Sequence, residues 1–343
     1  MSSFGLIARA DQGGLGTQTW EMARHLRPEK ILVVDLGSRG RGHARLERYE
    51  GLGAEVRVCS PAPKPKHLDW LCSGVRSVYT AEGTYSDALP YYAAVNKVRL
   101  VVHANPELWS ERYRDATTKI VTPTEWEEQR IPGSMVMPMP VDRERLPFRH
   151  RTEARTFWHP AAPAMNDRNG SDIVLAALPL IPEHARIVIT SPDGGRPREF
   201  CKGKVTVEFR TAERENYWEG YDEADVLVLP RRYGGLSLPV QEALSSGMPV
   251  IMLETGPYIG KGGVVPVPVS SSVDVPMKGG IFAVWDAKPQ ALADTIGFLA
   301  RDPEVVSGLS ACAHTTAELI SWDHWEGPWR NLLESRLGEQ FPV

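Results

Sequence analysis

The stretch "RRYGGLSLPVQEALSSGMPVIM", residues 231–252, decides how the second half of the chain is read. Ahead of it stands "VLVLP", residues 226–230, an apolar run without polar alternation, as in a strand covered on both faces. A Gly234–Gly235 turn follows, then "SLPVQEALSSG", which reads as a helix with Pro239 near its start. Ala243, Ser245, Ser246 and Gly247 are small enough to let that helix approach a sheet closely. "MPVIM" opens the next strand. Strand, glycine turn, helix, strand is the rhythm of an open parallel sheet, and such sheets take ligands beyond the carboxyl ends of their strands. Glu242, read as lying in the helix's first turns, is therefore either a charge welcome at the positive helix end or a hydroxyl acceptor turned toward a ligand.

The same rhythm extends outward in both directions. "FGLIA", "KILVVDL", "AEVRVC", "VRSVYTA", "RLVVHA" and "TKIVTP" read as strands of a first sheet, with "GTQTWEMARHL" as its first helix. "MVMPMPVDRERLPF" then breaks the pattern with three prolines and, with the charged "RHRTEAR", is the linker candidate. "RTFWHP", "ARIVITS", "VTVEFR", "ADVLVLP" and "MPVIML" resume it, with "SDIVLAALPLI" as a further helix. The expected fold is α/β, two doubly wound domains in tandem, over residues 1–148 and 149–325 with a last helical segment at 326–343.

Bulk properties agree with that organisation. A chain of 343 residues, 42% hydrophobic and 24% charged, suits two globular domains. A net charge of −4 offers no overall basic field for nucleic acid. Cys59, Cys72, Cys201 and Cys312 form no CxxC pair, so reduced buried thiols in a cytoplasmic protein are expected rather than zinc or disulfides. "MSSFGLIARADQGG" has no signal-peptide pattern, and no apolar run has the length of a membrane span.

A second glycine turn lies in "ADQGGLGTQTWEM", where Gly13, Gly14 and Gly16 stand between the first strand and first helix. Glycines there free the backbone, and a helix N-terminus offers N–H groups to an anion. Gly14, Gly16 and Asp35 prompt a dinucleotide reading, an NAD-dependent oxidoreductase. Thr19 in place of the third glycine and the intervening "RADQ" count against it.

"LPRRYGGLSLPVQEALSSGMPVI" resembles the donor-binding segment of retaining glycosyltransferases of the GT-B fold, family 4 in particular. Pro230, Gly235, Pro239, Glu242, Ala243, Gly247, Pro249 and Val250 match its pattern in register. The resemblance implies two Rossmann-like domains facing a central cleft, the acceptor in the first and a nucleotide diphosphate sugar in the second. It gives Glu242 the ribose hydroxyls. The family's first Glu falls on Gly234, and its Phe-Gly on Leu236 and Ser237, so backbone N–H groups of Gly235 and Leu236 inherit the donor sugar. "RLVVHANPEL" resembles the segment bearing a histidine near the donor sugar, here His103. In "DRNGSDIVLAAL" the family lysine becomes Asn169 with Arg168 beside it, and in "TFWHP" His159 replaces an arginine. "SWDHWEGPWRNLLESRL" resembles the C-terminal helix that returns to the first domain.

These residues suit the departure of a nucleotide diphosphate. Arg168, aided by His159 if protonated, would stabilise charge growing on the leaving phosphate. His103, Arg168 and Glu242 are the expected catalytic residues. Gly14, Gly16, His159, Asn169, Arg210, Gly234, Gly235, Leu236 and Ser237 are the expected donor contacts. Taken alone, His103 is a lone histidine after an apolar strand, more often structural than catalytic. No Asp-x-Asp occurs, so metal independence is expected and no cofactor beyond the sugar donor. The expected activity is hexosyl or pentosyl transfer, with a non-catalytic nucleotide- or glycan-binding homologue as the alternative. The compact chain and its "DRNG" variant also resemble bacteriophage-encoded glycosyltransferases, which makes a modified DNA base, a virion protein or a cell-envelope glycan the acceptors to consider.

Overall fold

The computed structural model describes residues 3–11, 13–37, 45–161, 167–191, 198–211, 217–335 and 337. The chain divides into two compact units. The first comprises Met1–Met139, Met277–Gly280 and Trp322–Val343; the second comprises Pro140–Pro276 and Ile281–Ser321. The division at Met139 falls inside the proline-rich linker candidate, nine residues before the boundary expected from sequence.

The first unit carries β1 (Phe4–Arg9), α1 (Gly14–Leu26), β2 (Lys30–Val34), β3 (Glu55–Cys59), α2 (Pro65–Cys72), β4 (Ser77–Ala81), α3 (Leu89–Val95), β5 (Arg99–His103), β6 (Thr118–Thr122), α4 (Glu125–Glu128) and β7 (Met135–Val136). Its strands form one parallel sheet in the order β3-β2-β1-β4-β5-β6-β7. Ile7, Leu32, Val34, Val78, Leu100, Val102 and Ile120 from successive strands build a buried cluster with Leu68 and Leu71 of α2. Unbroken apolar strands are what a sheet covered on both faces requires.

The second unit carries β8 (Thr156–Pro160), α5 (Ser171–Ala177), β9 (Ala185–Ser191), β10 (Arg198–Lys202), β11 (Val205–Thr211), β12 (Val226–Val228), α6 (Leu238–Ser245), β13 (Val250–Leu253) and β14 (Val264–Val267). A separate hairpin, β15 (Ser271–Met277) and β16 (Gly280–Asp286), precedes α7 (Pro289–Arg301) and α8 (Pro303–Leu319). The sheet order is β10-β11-β9-β8-β12-β13-β14, parallel except for β10 on β11. Alternate residues enter two cores. Phe157, Ile187, Val226, Val228 and Ile251 lie in one; Trp158, Val188, Leu227 and Val250 lie in the other.

The last helix, α9 (Trp322–Glu334), starts four residues earlier than expected and belongs to the first unit. Trp329 is fully buried and donates its indole N–H to Pro138 O at 2.9 Å. The Arg76 guanidinium donates to Glu334 O at 2.9 Å, placing a cation at the helix's negative end. Two of the four thiols depart from expectation: Cys59 and Cys72 are buried, but Cys201 and Cys312 are exposed, and all four are free.

Candidate active site

In the second unit the chain runs from β8 outward through β9 to β11, then returns to β12 on the other side of β8 and continues to β13 and β14. The strand order therefore reverses between β8 and β12, the place where an open α/β sheet leaves a crevice beyond its carboxyl ends. The loops after these two strands are the ones that carry "DRNG" and "RRYGGLS".

These two loops are stitched together. Arg232 N–H donates to Arg168 O at 2.9 Å. Gly170 has φ +71°, and a Cβ there would overlap the carbonyl oxygen of Pro230, so glycine is needed for both conformation and close approach. Asn169 donates its side-chain N–H to Pro160 O at 2.7 Å, and Asp167 accepts from Asp172 N–H at 2.9 Å. The Arg168 guanidinium lies over the Tyr233 ring, 5.1 Å from its centroid. An aromatic face below a planar cation helps to hold its orientation.

The glycine loop is braced from within by a residue that sequence reasoning left unassigned. Buried Arg231 donates to Tyr233 O at 2.9 Å and to Leu236 O at 2.8 Å. Tyr258 OH accepts from Ser237 N–H at 2.8 Å, so that N–H is engaged inside the protein. Gly234 takes φ +95°. Arg232, the second arginine, pairs with Asp172 at 2.8 Å and Asp286 at 3.3 Å. Burial, then the neighbouring Asp167 carboxyl, push Asp172 upward from its ordinary value.

Glu242 lies in the second turn of α6, not the first, so stabilisation of the helix terminus is a weak account of it. It is buried, and Tyr221 OH donates to its Oε2 at 2.5 Å. Tyr221 is buried too. Its own carbonyl accepts from Arg151, which also donates to the carbonyls of Ala224 and Arg149. Nothing in sequence spacing links Tyr221 to a carboxylate 21 positions on; only the fold joins them.

Several expected contacts sit elsewhere. His159 is fully buried, with Nδ1 2.8 Å from Val228 O and Nε2 2.9 Å from Ser171 Oγ. Burial lowers its pKa, so this is a neutral, satisfied strand-end histidine rather than a cation for phosphate. Arg210 lies two strands away on β11, paired with Glu208 and with Glu223 at 2.5 Å, its charge already matched.

Gly14, Gly16 and His103 belong to the first unit, where the strand order reverses between β1 and β4. Just ahead of α1 the protein's own Asp11 carboxylate engages the backbone of Gly13. Asp11 Oδ1 accepts from Gly13 N–H at 2.9 Å, and Arg9 pairs with Oδ2 at 2.5 Å. A Cβ at Gly16 would overlap Asp11 O, so this glycine serves local packing rather than the approach of a phosphate. His103 is buried, its Nδ1 2.9 Å from Tyr79 OH and 3.0 Å from Gln18 Nε2, with Trp329 beside it at 5.5 Å between ring centroids. Burial pushes its pKa down to about 3. His103 is therefore a neutral hydrogen-bonding group, not an acid–base catalyst near neutral pH.

Comparison with known proteins agrees with this geometry. Residues 161–302 match the family model described as glycosyl transferases group 1. No curated protein sequence matches. A glycosyltransferase from Rickettsia africae superposes with a TM-score of 0.65 at 11% identity, over 97% of this chain and 99% of that one. Sucrose-phosphate synthase from Thermosynechococcus elongatus gives 0.63 at 14%, over 96% and 98%. The pneumococcal O-GlcNAc transferase GtfA, in complex with UDP and GlcNAc, gives 0.51 at 14%, over 77% and 57%. Among the described residues no helix is long and apolar enough to cross a membrane. Residues 161–302 thus match the group 1 glycosyl transferase model, in a chain whose α/β fold with two parallel-type sheets resembles that of GT-B glycosyltransferases.

Proposed function

We propose that this chain is a retaining, metal-independent glycosyltransferase that moves a hexosyl or pentosyl group from a nucleotide diphosphate sugar to a hydroxyl of an acceptor. The observation that carries it is the junction of the "DRNG" and "RRYGGLS" loops at the β8/β12 reversal, with Arg168 at its edge and Glu242 on the helix that follows. Glu242 binds the ribose hydroxyls. Arg168 and loop N–H groups oppose the charge that develops on the departing diphosphate. A modified DNA base, a virion protein or a cell-envelope glycan is the acceptor, in a cytoplasmic and bacteriophage setting. Incubation with UDP-, GDP- and ADP-sugars, following diphosphate release together with a mass-identified product, tests the reading. Tight donor binding with no product for any acceptor would instead favour a non-catalytic homologue, the reading that Gly234 prompts.

Tyr221 acts here through Glu242. Tyr221→Phe removes one charge-assisted hydrogen bond from a buried carboxylate, so nucleotide affinity should fall about tenfold. Isothermal titration with the free nucleotide diphosphate checks this, and an unchanged affinity in a folded variant would disconnect Tyr221 from the site.

A further inference from the structure

We propose that two copies of this chain pair edge to edge through β3, antiparallel about a two-fold axis, with Val56 opposite Val56 of the second copy. β3 is an outer strand of its sheet. Its pairing with β2 aligns Lys30 with Glu55 and Val34 with Cys59. Glu55 N–H donates to Glu29 O, and Asp35 N–H to Cys59 O, both at 2.9 Å. In a parallel ladder alternate residues face the partner strand, so the main-chain groups of Val56 and Val58 point outward from the sheet edge. Their side chains are 37% and 47% exposed.

Within the two seven-stranded sheets, β7 and β14 are blunted in ways β3 is not. β7 has two residues, and β14 contains Pro266. β3 has five residues, no proline and two β-branched residues with outward N–H groups. On one face of it Glu55 and Arg57 pair with each other beside Trp70. Glu55 Oε1 accepts from the Trp70 indole N–H at 2.9 Å and from Arg57 at 2.8 Å, and the Arg57 guanidinium is 4.3 Å from the Trp70 ring centroid.

Charge selects the register. With Val56 opposite Val56, Glu55 of each copy faces Arg57 of the other, closing a ring of four charges of alternating sign. One step along, Val56 opposite Val58 sets Arg57 against Arg57; the next sets Arg57 against Cys59. β10, the remaining outer strand of the two seven-stranded sheets, has no equivalent. Paired with itself it can oppose only residues of like parity, so Glu199 never meets Arg198 or Lys202.

Light scattering behind gel filtration, in the high micromolar range, should show a dimer. In a Cys201→Ser, Cys312→Ser background, Val56→Cys should cross-link on oxidation. Directly opposed hydrogen-bonded residues have Cα atoms about 5.5 Å apart, within disulfide reach. Glu55→Arg and Arg57→Glu should each weaken the dimer about tenfold or more, since each turns two attractive pairs into repulsive ones. A mixture of those two variants, or the double swap in one chain, should restore it. Circular dichroism confirms that each variant is folded. A monomeric wild type, or a dimer that neither cross-links at position 56 nor responds to the swaps, overturns the proposal.

Discussion

Glu242→Ala should lower affinity for the nucleotide diphosphate sugar and for the free nucleotide diphosphate together, by about ten- to a hundredfold. A carboxylate accepting from ribose hydroxyls contributes roughly 1.5–3 kcal/mol, and the ribose is common to both ligands. The structure sharpens the expectation, because Glu242 sits in the second turn of a helix whose first turn holds no acidic residue. Its buried carboxylate is reached by Tyr221 OH, an arrangement that fixes its direction but adds little to helix stability. Glu242→Gln keeps the shape and should lose less affinity than alanine. Isothermal titration with nucleotide and nucleotide sugar on folded variants makes the measurement. Equal affinities in wild type and Glu242→Ala would return the carboxylate to a purely structural role.

How far this site was legible depends on what sequence spacing can encode. The strands were legible because parallel sheets buried on both faces impose unbroken apolar runs, as in "ADVLVLP" and "RLVVHA". β10 was not, since its five residues are all exposed and pair on one side only. Local geometry was readable too. Gly170 and Gly234 adopt positive φ in loops that glycine already marked. What spacing could not show was where a side chain's hydrogen bonds end. His159 looks like a cation replacement at a strand end, yet both its nitrogens are consumed by Val228 and Ser171. Arg210 looks free until Glu208 and Glu223 close on it. The same limit hid Tyr221 and Arg231, whose partners are fixed by the fold and not by any motif.

Among the cations at the β8/β12 reversal, Arg168 and Arg232 are not equivalent. Arg232 is committed to two carboxylates, Asp172 and Asp286, so its charge is largely answered within the protein. Arg168 lies over the Tyr233 ring, and the loop that presents it is fixed by the Arg232 N–H bond to its carbonyl. A cation held in that way suits charge that grows as the diphosphate leaves, an interaction stronger in the transition state than in the bound donor. Arg168→Ala should therefore reduce kcat by about a hundred- to a thousandfold while raising the donor KM much less. Arg168→Lys should recover part of the rate, because a point charge survives while the planar stacking group is lost. Asn169 cannot substitute, having no charge and its amide N–H already given to Pro160. Steady-state kinetics on folded variants decide the matter. A wild-type kcat in Arg168→Ala would leave the leaving phosphate to the backbone N–H groups of the glycine loop.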